Sequence, residues 1–190
     1  MKNSPAETAT LPLLTFKGKI SVITNPSKLQ GVVQEIMHHR VAGFDTETRP
    51  VFVKGRRHKV ALLQLALPAR VFLIRLNHTG ITDVLCNYFE DENFIKVGLA
   101  IRDDLKALQQ LRKFTPRGFI ELTTLTRQAG YTGEGIKTLT AQILGHRISK
   151  SAQTSNWEAP TLTHKQLQYA ATDAWVCLEM YHKVLPVIET

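Results

Sequence analysis

Val41-Ala42-Gly43-Phe44-Asp45-Thr46-Glu47 opens apolar and closes on two carboxylates. Two further apolar runs come after it, Val60 to Leu67 and Val71 to Leu76, separated only by Pro68-Ala69-Arg70. The first stretch reads as a strand that leaves the core at a polar end, and the other two as strands whose short link forces an antiparallel hairpin. Upstream, Lys19 to Ile23 reads as a strand and Lys28 to His38 as an amphipathic helix. Downstream, helices and strands alternate: helix Ile81–Phe89, strand Phe94–Leu99, helix Ile101–Lys113, strand Phe119–Leu122, then helices Thr123–Ala129 and Thr138–Leu144. Such alternation implies right-handed crossovers between parallel strands. A long last helix starts at Thr163, where Thr-His-Lys-Gln forms a capping box, and is expected to stop before Pro186. The expected class is α/β: a mixed sheet, antiparallel in its first strands and parallel afterwards, flanked by helices. Residues 1–15 carry two prolines and no periodicity and read as a flexible tail, leaving 16–190 as a single domain.

Composition narrows the function classes. Hydrophobic residues make up 43% and charged residues 21%, which excludes a disordered or fibrous chain. The longest apolar stretches are a few residues, against the roughly 20 of a transmembrane helix, so no membrane association is expected. The N-terminus lacks the apolar core of a secretory signal, and a cytoplasmic location is expected. Cys86 and Cys177 lack metal or redox spacing and read as reduced core thiols. Lys and Arg outnumber acids 24 to 16, a net charge of +8 that suits a polyanionic partner such as nucleic acid, or serves solubility alone.

Three acid-bearing segments carry the chemistry. Asp45 and Glu47, two apart on a strand, leave the same face and repel unless a cation lies between them. Asp103 and Asp104 sit in the first turn of the helix after Lys96-Val97-Gly98-Leu99. At about 100° per residue, Asp104 falls within the apolar stripe of Ile101, Leu105, Leu108 and Leu111, whereas Asp103 falls opposite it with Lys106 and Gln110. Tyr169 and Asp173, four apart in the last helix, lie on neighbouring turns of one face, and Asp173 borders the core stripe. An acid there needs a cation or a hydrogen-bond network.

Taken together, Phe44-Asp45-Thr46-Glu47-Thr48, Val97-Gly98 through Asp103-Asp104-Leu105, and Tyr169 through Asp173 resemble the DEDD exonuclease superfamily of the ribonuclease H-like fold, over roughly residues 16–185. Ser155-Asn156-Trp157 adds to the likeness, which is nearest to ribonuclease D and Werner-type 3′–5′ exonuclease domains. Position 168 is Gln and position 169 is Tyr, so the chain resembles the tyrosine branch rather than the histidine branch. The resemblance implies a 3′–5′ exonuclease that releases nucleoside 5′-monophosphates. It implies two divalent ions, Mg²⁺ or Mn²⁺, on Asp45, Glu47, Asp104 and Asp173, with Tyr169 orienting the attacking water. The implied partner is single-stranded or 3′-overhanging nucleic acid, DNA or RNA; no protein partner is indicated. A catalytically weak nucleic-acid-binding domain on the same fold is the alternative.

The loop from Arg49 to Lys59 is basic and comes directly after the acid pair. Arg49, Lys54, Arg56, Arg57 and Lys59 are candidates to hold phosphates, and Phe52 to stack on a base; the other reading is a solvated hairpin tip. Gly130-Tyr131-Thr132-Gly133-Glu134-Gly135 lacks the strand-to-helix Gly-Lys-Ser/Thr context of a phosphate loop and reads as a flexible connection. Trp157 and Trp175 read as packing residues, Trp175 on the polar side of the last helix, and His164 as a surface residue at that helix's start. With the chain ending at Thr190, substrate affinity is expected to come from this domain or from a partner.

Overall fold

Side chains alternate between the two faces of a strand, and in β2 (Val41–Thr48) this sends Ala42, Phe44 and Thr46 one way and Gly43, Asp45 and Glu47 the other. The computed structural model, which describes residues 10–52, 55 and 57–189, places β2 inside a six-stranded sheet. β3 (Val60–Ala66) pairs antiparallel with β2, and β4 (Arg70–Arg75) pairs antiparallel with β3 across the short Pro68 link. β5 (Ile95–Gly98) runs parallel to β2 and β6 (Phe119–Glu121) parallel to β5. β1 (Lys19–Ile23) lies parallel to β4, which gives the order β1-β4-β3-β2-β5-β6. This is the mixed α/β sheet that the sequence predicts.

The helices are α1 (Leu29–Met37), α2 (Leu76–Thr79), α3 (Asp83–Glu90), α4 (Ile101–Leu111), α5 (Leu122–Gln128), α6 (Ile136–Leu139) and α7 (His164–Ile188). One face of the sheet, with Phe44, Leu63, Leu65, Phe72 and Ile74, packs on α1, α3 and α4. The other, with Ala61, Leu62, Val71 and Leu73, packs on the first half of α7 and Trp157, while α5, α6 and the second half of α7 enclose Val97. Every residue of β3 is buried, which is why that strand reads as an unbroken apolar run. Each fully buried Leu, Val or Phe contributes about 1.5–3 kcal/mol. No helix among the described residues is long and apolar enough to cross a membrane, and both cysteines are free and buried as expected.

On this second face, α7 sits directly on β2. A Cβ on Gly43 would collide with the Ala174 carbonyl oxygen, so helix backbone lies against strand backbone, with Ala170, Ala171 and Ala174 buried along the seam. The glycine is required by this close approach.

Three expectations are corrected. Leu11 to Thr15, read as tail, is tied down: the Leu14 amide donates to the Arg147 carbonyl at 2.8 Å, and Arg147 donates from its backbone and Nε to Pro12 and Leu11. The partner lies over 130 residues away, where local periodicity has no reach; residues 1–9 lie outside the described residues. The last helix continues through Pro186 to Ile188, because the missing N–H falls in a final turn where His182 and Lys183 already face solvent. The helix expected over Thr138–Leu144 begins at Ile136 and widens into a π-turn over Thr140–Leu144. Trp175, read as a packing residue, packs its ring 5.6 Å from that of Phe16.

Gly43→Ala is expected to cost about 1–3 kcal/mol by overpacking the seam. Urea denaturation reads this as a lower midpoint at constant m-value, and an unchanged midpoint would show that α7 yields freely.

Candidate active site

The same seam assembles the acids. Asp45 and Glu47 continue along the Gly43 side of β2, and Asp173 precedes Ala174 on α7, so packing Ala174 onto Gly43 lays Asp173 beside the strand's two carboxylates. One oxygen from each of Asp45, Glu47 and Asp173 falls within 4.8 Å of the others, an arrangement that could hold a metal ion. Tyr169, one turn earlier on α7, donates a hydrogen bond from its hydroxyl to Asp173. Its ring packs 5.9 Å from that of Trp157, which is fully buried. These groups open on a cavity of about 360 Å³ whose walls include Ala100, Glu134, Gly135, Lys150 and Gln153.

The electrostatics are those of crowded, desolvated carboxylates. Burial first, then the charges of Asp173 and Asp104, hold the Asp45 carboxyl well above the usual carboxylate range. Burial and the same crowding push Glu47 up to about 10. Asp173 is raised to about 6 by burial, opposed by the Tyr169 hydroxyl and by the ammonium groups of Lys150 and Lys137. The Tyr169 phenol is itself pushed up, by burial and then by Asp173 and Glu47. Asp173 Oδ1 is buried without a hydrogen-bond partner. An all-oxygen donor set with an orphaned carboxylate oxygen fits a hard divalent cation such as Mg²⁺ or Mn²⁺.

Asp104 reaches the site from the other side of β2. α4 starts after Ala100, a non-glycine residue at φ 58°, and Glu121 fixes that start by accepting from the Ala100 amide at 3.1 Å and the Ile101 amide at 3.0 Å. Asp104 then accepts a hydrogen bond from the Thr46 hydroxyl, on the opposite face of the strand from Asp45 and Glu47. Burial raises its carboxyl, and the Thr46 bond partly offsets this. Asp104 thus stands outside the three-carboxylate cluster while its charge is felt at Asp45. Asp103 is 90% exposed and pairs with Lys106, as the helical period predicts.

Of the basic-loop residues, Arg49 pairs with Glu158 at 3.3 Å, and Phe52 is 84% exposed. Arg57 and Lys59 are exposed and line a separate cleft, whereas Lys54 and Arg56 lie outside the described residues. Three site features go unread in the sequence. Lys150 and Lys137 offset the acids, yet nothing local distinguishes them from the other surface lysines. Glu134 and Gly135, within the stretch read as a flexible connection, form part of the cavity wall. Thr46 is visible only as the middle residue of the acid pair, although period-2 alternation already points it at the opposite helical layer.

A family model described as 3′-5′ exonuclease matches residues 20–189. The exonuclease 3′-5′ domain-containing protein 2 of Drosophila melanogaster is 35% identical over 173 residues, covering 87% of this chain and 29% of that protein. The Aedes aegypti Nibbler EXO domain superposes with a TM-score of 0.83 at 22% identity over 93% of each chain. Escherichia coli RNase D, an exoribonuclease involved in structured RNA processing, superposes with a TM-score of 0.80 at 24% identity over 90% of this chain and 45% of that one. At these identities the two structures speak to the fold alone. The chain spans less than half the length of the first curated relatives that it matches. Because the family match takes in both faces of the sheet and every residue of the acid cavity, the chain belongs to the 3′–5′ exonuclease family.

Proposed function

We propose that this chain is a cytoplasmic 3′–5′ exonuclease of the tyrosine-bearing branch. It hydrolyses the terminal phosphodiester bond of single-stranded or 3′-overhanging nucleic acid and releases nucleoside 5′-monophosphates. The observation that carries this reading is the crowding of three carboxylates around an unpartnered Asp173 oxygen, beside a tyrosine hydroxyl, in a cavity of this family's fold. Asp45, Glu47 and Asp173, with Asp104 on the flank, are the residues to hold two divalent ions. When bound, such ions supply Lewis acidity that activates water near neutral pH and neutralise charge on the phosphodiester.

The chain's own groups do the rest. Hydrolysis adds a water oxygen to the phosphorus and breaks the bond to the 3′ oxygen, which leaves with a proton. Tyr169 keeps its proton because burial and the adjacent carboxylates push the phenol up, so it serves as a hydrogen-bond donor that orients and not as a base. Trp157 holds that ring in place. Lys150 lies on the cavity wall where it offsets carboxylate charge and where a phosphate would enter. The exposed Arg57, Lys59 and Phe52 offer charge and a stacking surface to nucleic acid outside the cavity. The ribonuclease D neighbour is an exoribonuclease, so RNA is tested beside DNA.

Chelation, Asp45→Asn and Asp173→Asn are each expected to lower degradation of labelled single-stranded DNA or RNA by about 1,000-fold or more. Activity retained in EDTA would overturn the metal-dependent reading. Asp104→Asn is expected to lose most activity while Asp103→Asn stays near wild type; the reverse would withdraw Asp104 from the site. Tyr169→Phe keeps the ring on Trp157, and turnover is expected to fall about 10- to 1,000-fold with little change in oligonucleotide affinity. Equal turnover would remove the hydroxyl from the mechanism.

A further inference from the structure

One carboxylate holds both ends of the basic loop. Glu158 Oε2 accepts from Arg49 Nη1 at 3.3 Å, and its Oε1 lies 3.0 Å from His58 Nδ1. Arg49 leaves β2 just after Thr48, and His58 lies two residues before Val60, which pairs with Thr48 across the ladder. The ladder fixes the backbone at the base of the loop; Glu158 fixes the side chains. Arg49, His58 and Glu158 are 45%, 24% and 31% exposed at their side chains, so the cluster is partly shielded and less screened than a free surface pair.

Glu158 itself is presented from a rigid turn. The Asn156 side chain accepts from the Glu158 amide at 3.1 Å, and the Asn156 carbonyl accepts from Gln166 Nε2 at 3.2 Å. The fully buried Arg75 donates from Nη2 to the Ala159 carbonyl at 2.6 Å. Between these anchors Trp157 packs on Tyr169. One turn therefore sets the position of the candidate catalytic tyrosine with one residue and of the basic loop with the next. Beyond Glu158 opens a cleft of about 600 Å³ lined also by Arg57, Lys59 and Asn77.

We propose that Glu158 is a positioning residue for substrate binding: it aims Arg49 and His58 at the phosphates of the nucleic-acid strand as that strand leaves the acid cavity. Pairing with Glu158 engages Arg49 through Nη1, and a guanidinium carries five N–H donors in a fixed fork, so others are left to meet a phosphate. The inference rests on the proposed action on nucleic acid and makes a prediction opposite in sign to simple electrostatics. Removing an acid from a basic path raises its positive charge and by charge alone would tighten binding to a polyanion. A positioning role demands the reverse.

The test uses the full chain and the isosteric Glu158→Gln, with Arg49→Ala and the double variant. Anisotropy of a short labelled single-stranded oligonucleotide in chelator reports affinity, and degradation in Mg²⁺ reports KM and kcat. Glu158→Gln is expected to weaken affinity and raise KM by about fivefold, while kcat and the thermal midpoint hold. In the Arg49→Ala background the same substitution is expected to cost clearly less, because one of its two targets is gone. Unchanged or tighter binding by Glu158→Gln, or full additivity with Arg49→Ala, overturns the inference while leaving the exonuclease reading intact. A wild-type chain that neither binds nor degrades the oligonucleotides overturns both.

Discussion

Backbone-to-backbone contact between α7 and β2 at Gly43 and Ala174 is the constraint on which the site depends. A helix normally keeps about 10 Å between its axis and a sheet because side chains fill the gap. Here the gap is closed by residues with little or no side chain, and the next polar positions on both elements, Asp45 on the strand and Asp173 on the helix, are pulled into one cluster with Glu47. The acids are therefore crowded by packing, and the energy that holds them there comes from the apolar seam of Ala170, Ala171 and Ala174 and the clusters on either side of it.

That crowding is unfavourable in its own right. Burial raises both Glu47 and Asp173, the neighbouring carboxylates raise Glu47 further, and Lys150, with Lys137 at Asp173, only partly compensates. A cation bound between these carboxylates would relieve that cost. Of the described loop cations, Arg57 and Lys59 line a different cleft and Arg49 is engaged by Glu158.

How much was legible in the sequence depends on the range of the forces involved. The β3–β4 hairpin is forced by a three-residue link, and the choice of Asp104 over Asp103 comes from the helical period; both are local. What escaped is non-local. Leu11 to Thr15 dock through Arg147, and Pro186 is absorbed by its solvent-facing turn. Lys96, a cation inside β5, is fully buried: its ammonium donates to the Tyr88 and Asp91 carbonyls and sits 4.9 Å from the Tyr88 and Phe119 ring centroids. Burial lowers it to about 8, and no pattern in Ile95-Lys96-Val97-Gly98 marks it as a cap for the end of α3. The three sequence motifs named the acids, but the partners that tune them, Thr46, Lys150 and Glu121, are chosen by the tertiary fold.

The end of β2 acts as a ruler between two helical layers. Residues 45 and 47 look toward α7, and residue 46 looks toward α4, where its hydroxyl meets Asp104. Glu121 guards this arrangement at its weakest point. It satisfies the Ala100 and Ile101 amides where the chain turns through a left-handed residue into α4, and it caps α5 by accepting from the Thr123 amide and hydroxyl. A carboxylate at the head of two helices is stabilised by both sets of unpaired amides. The fourth acid is thus held by a hydrogen-bonded frame, whereas the other three are held by apolar packing. The two sets approach one strand from opposite faces, which lets a single short segment, Asp45-Thr46-Glu47, register all four.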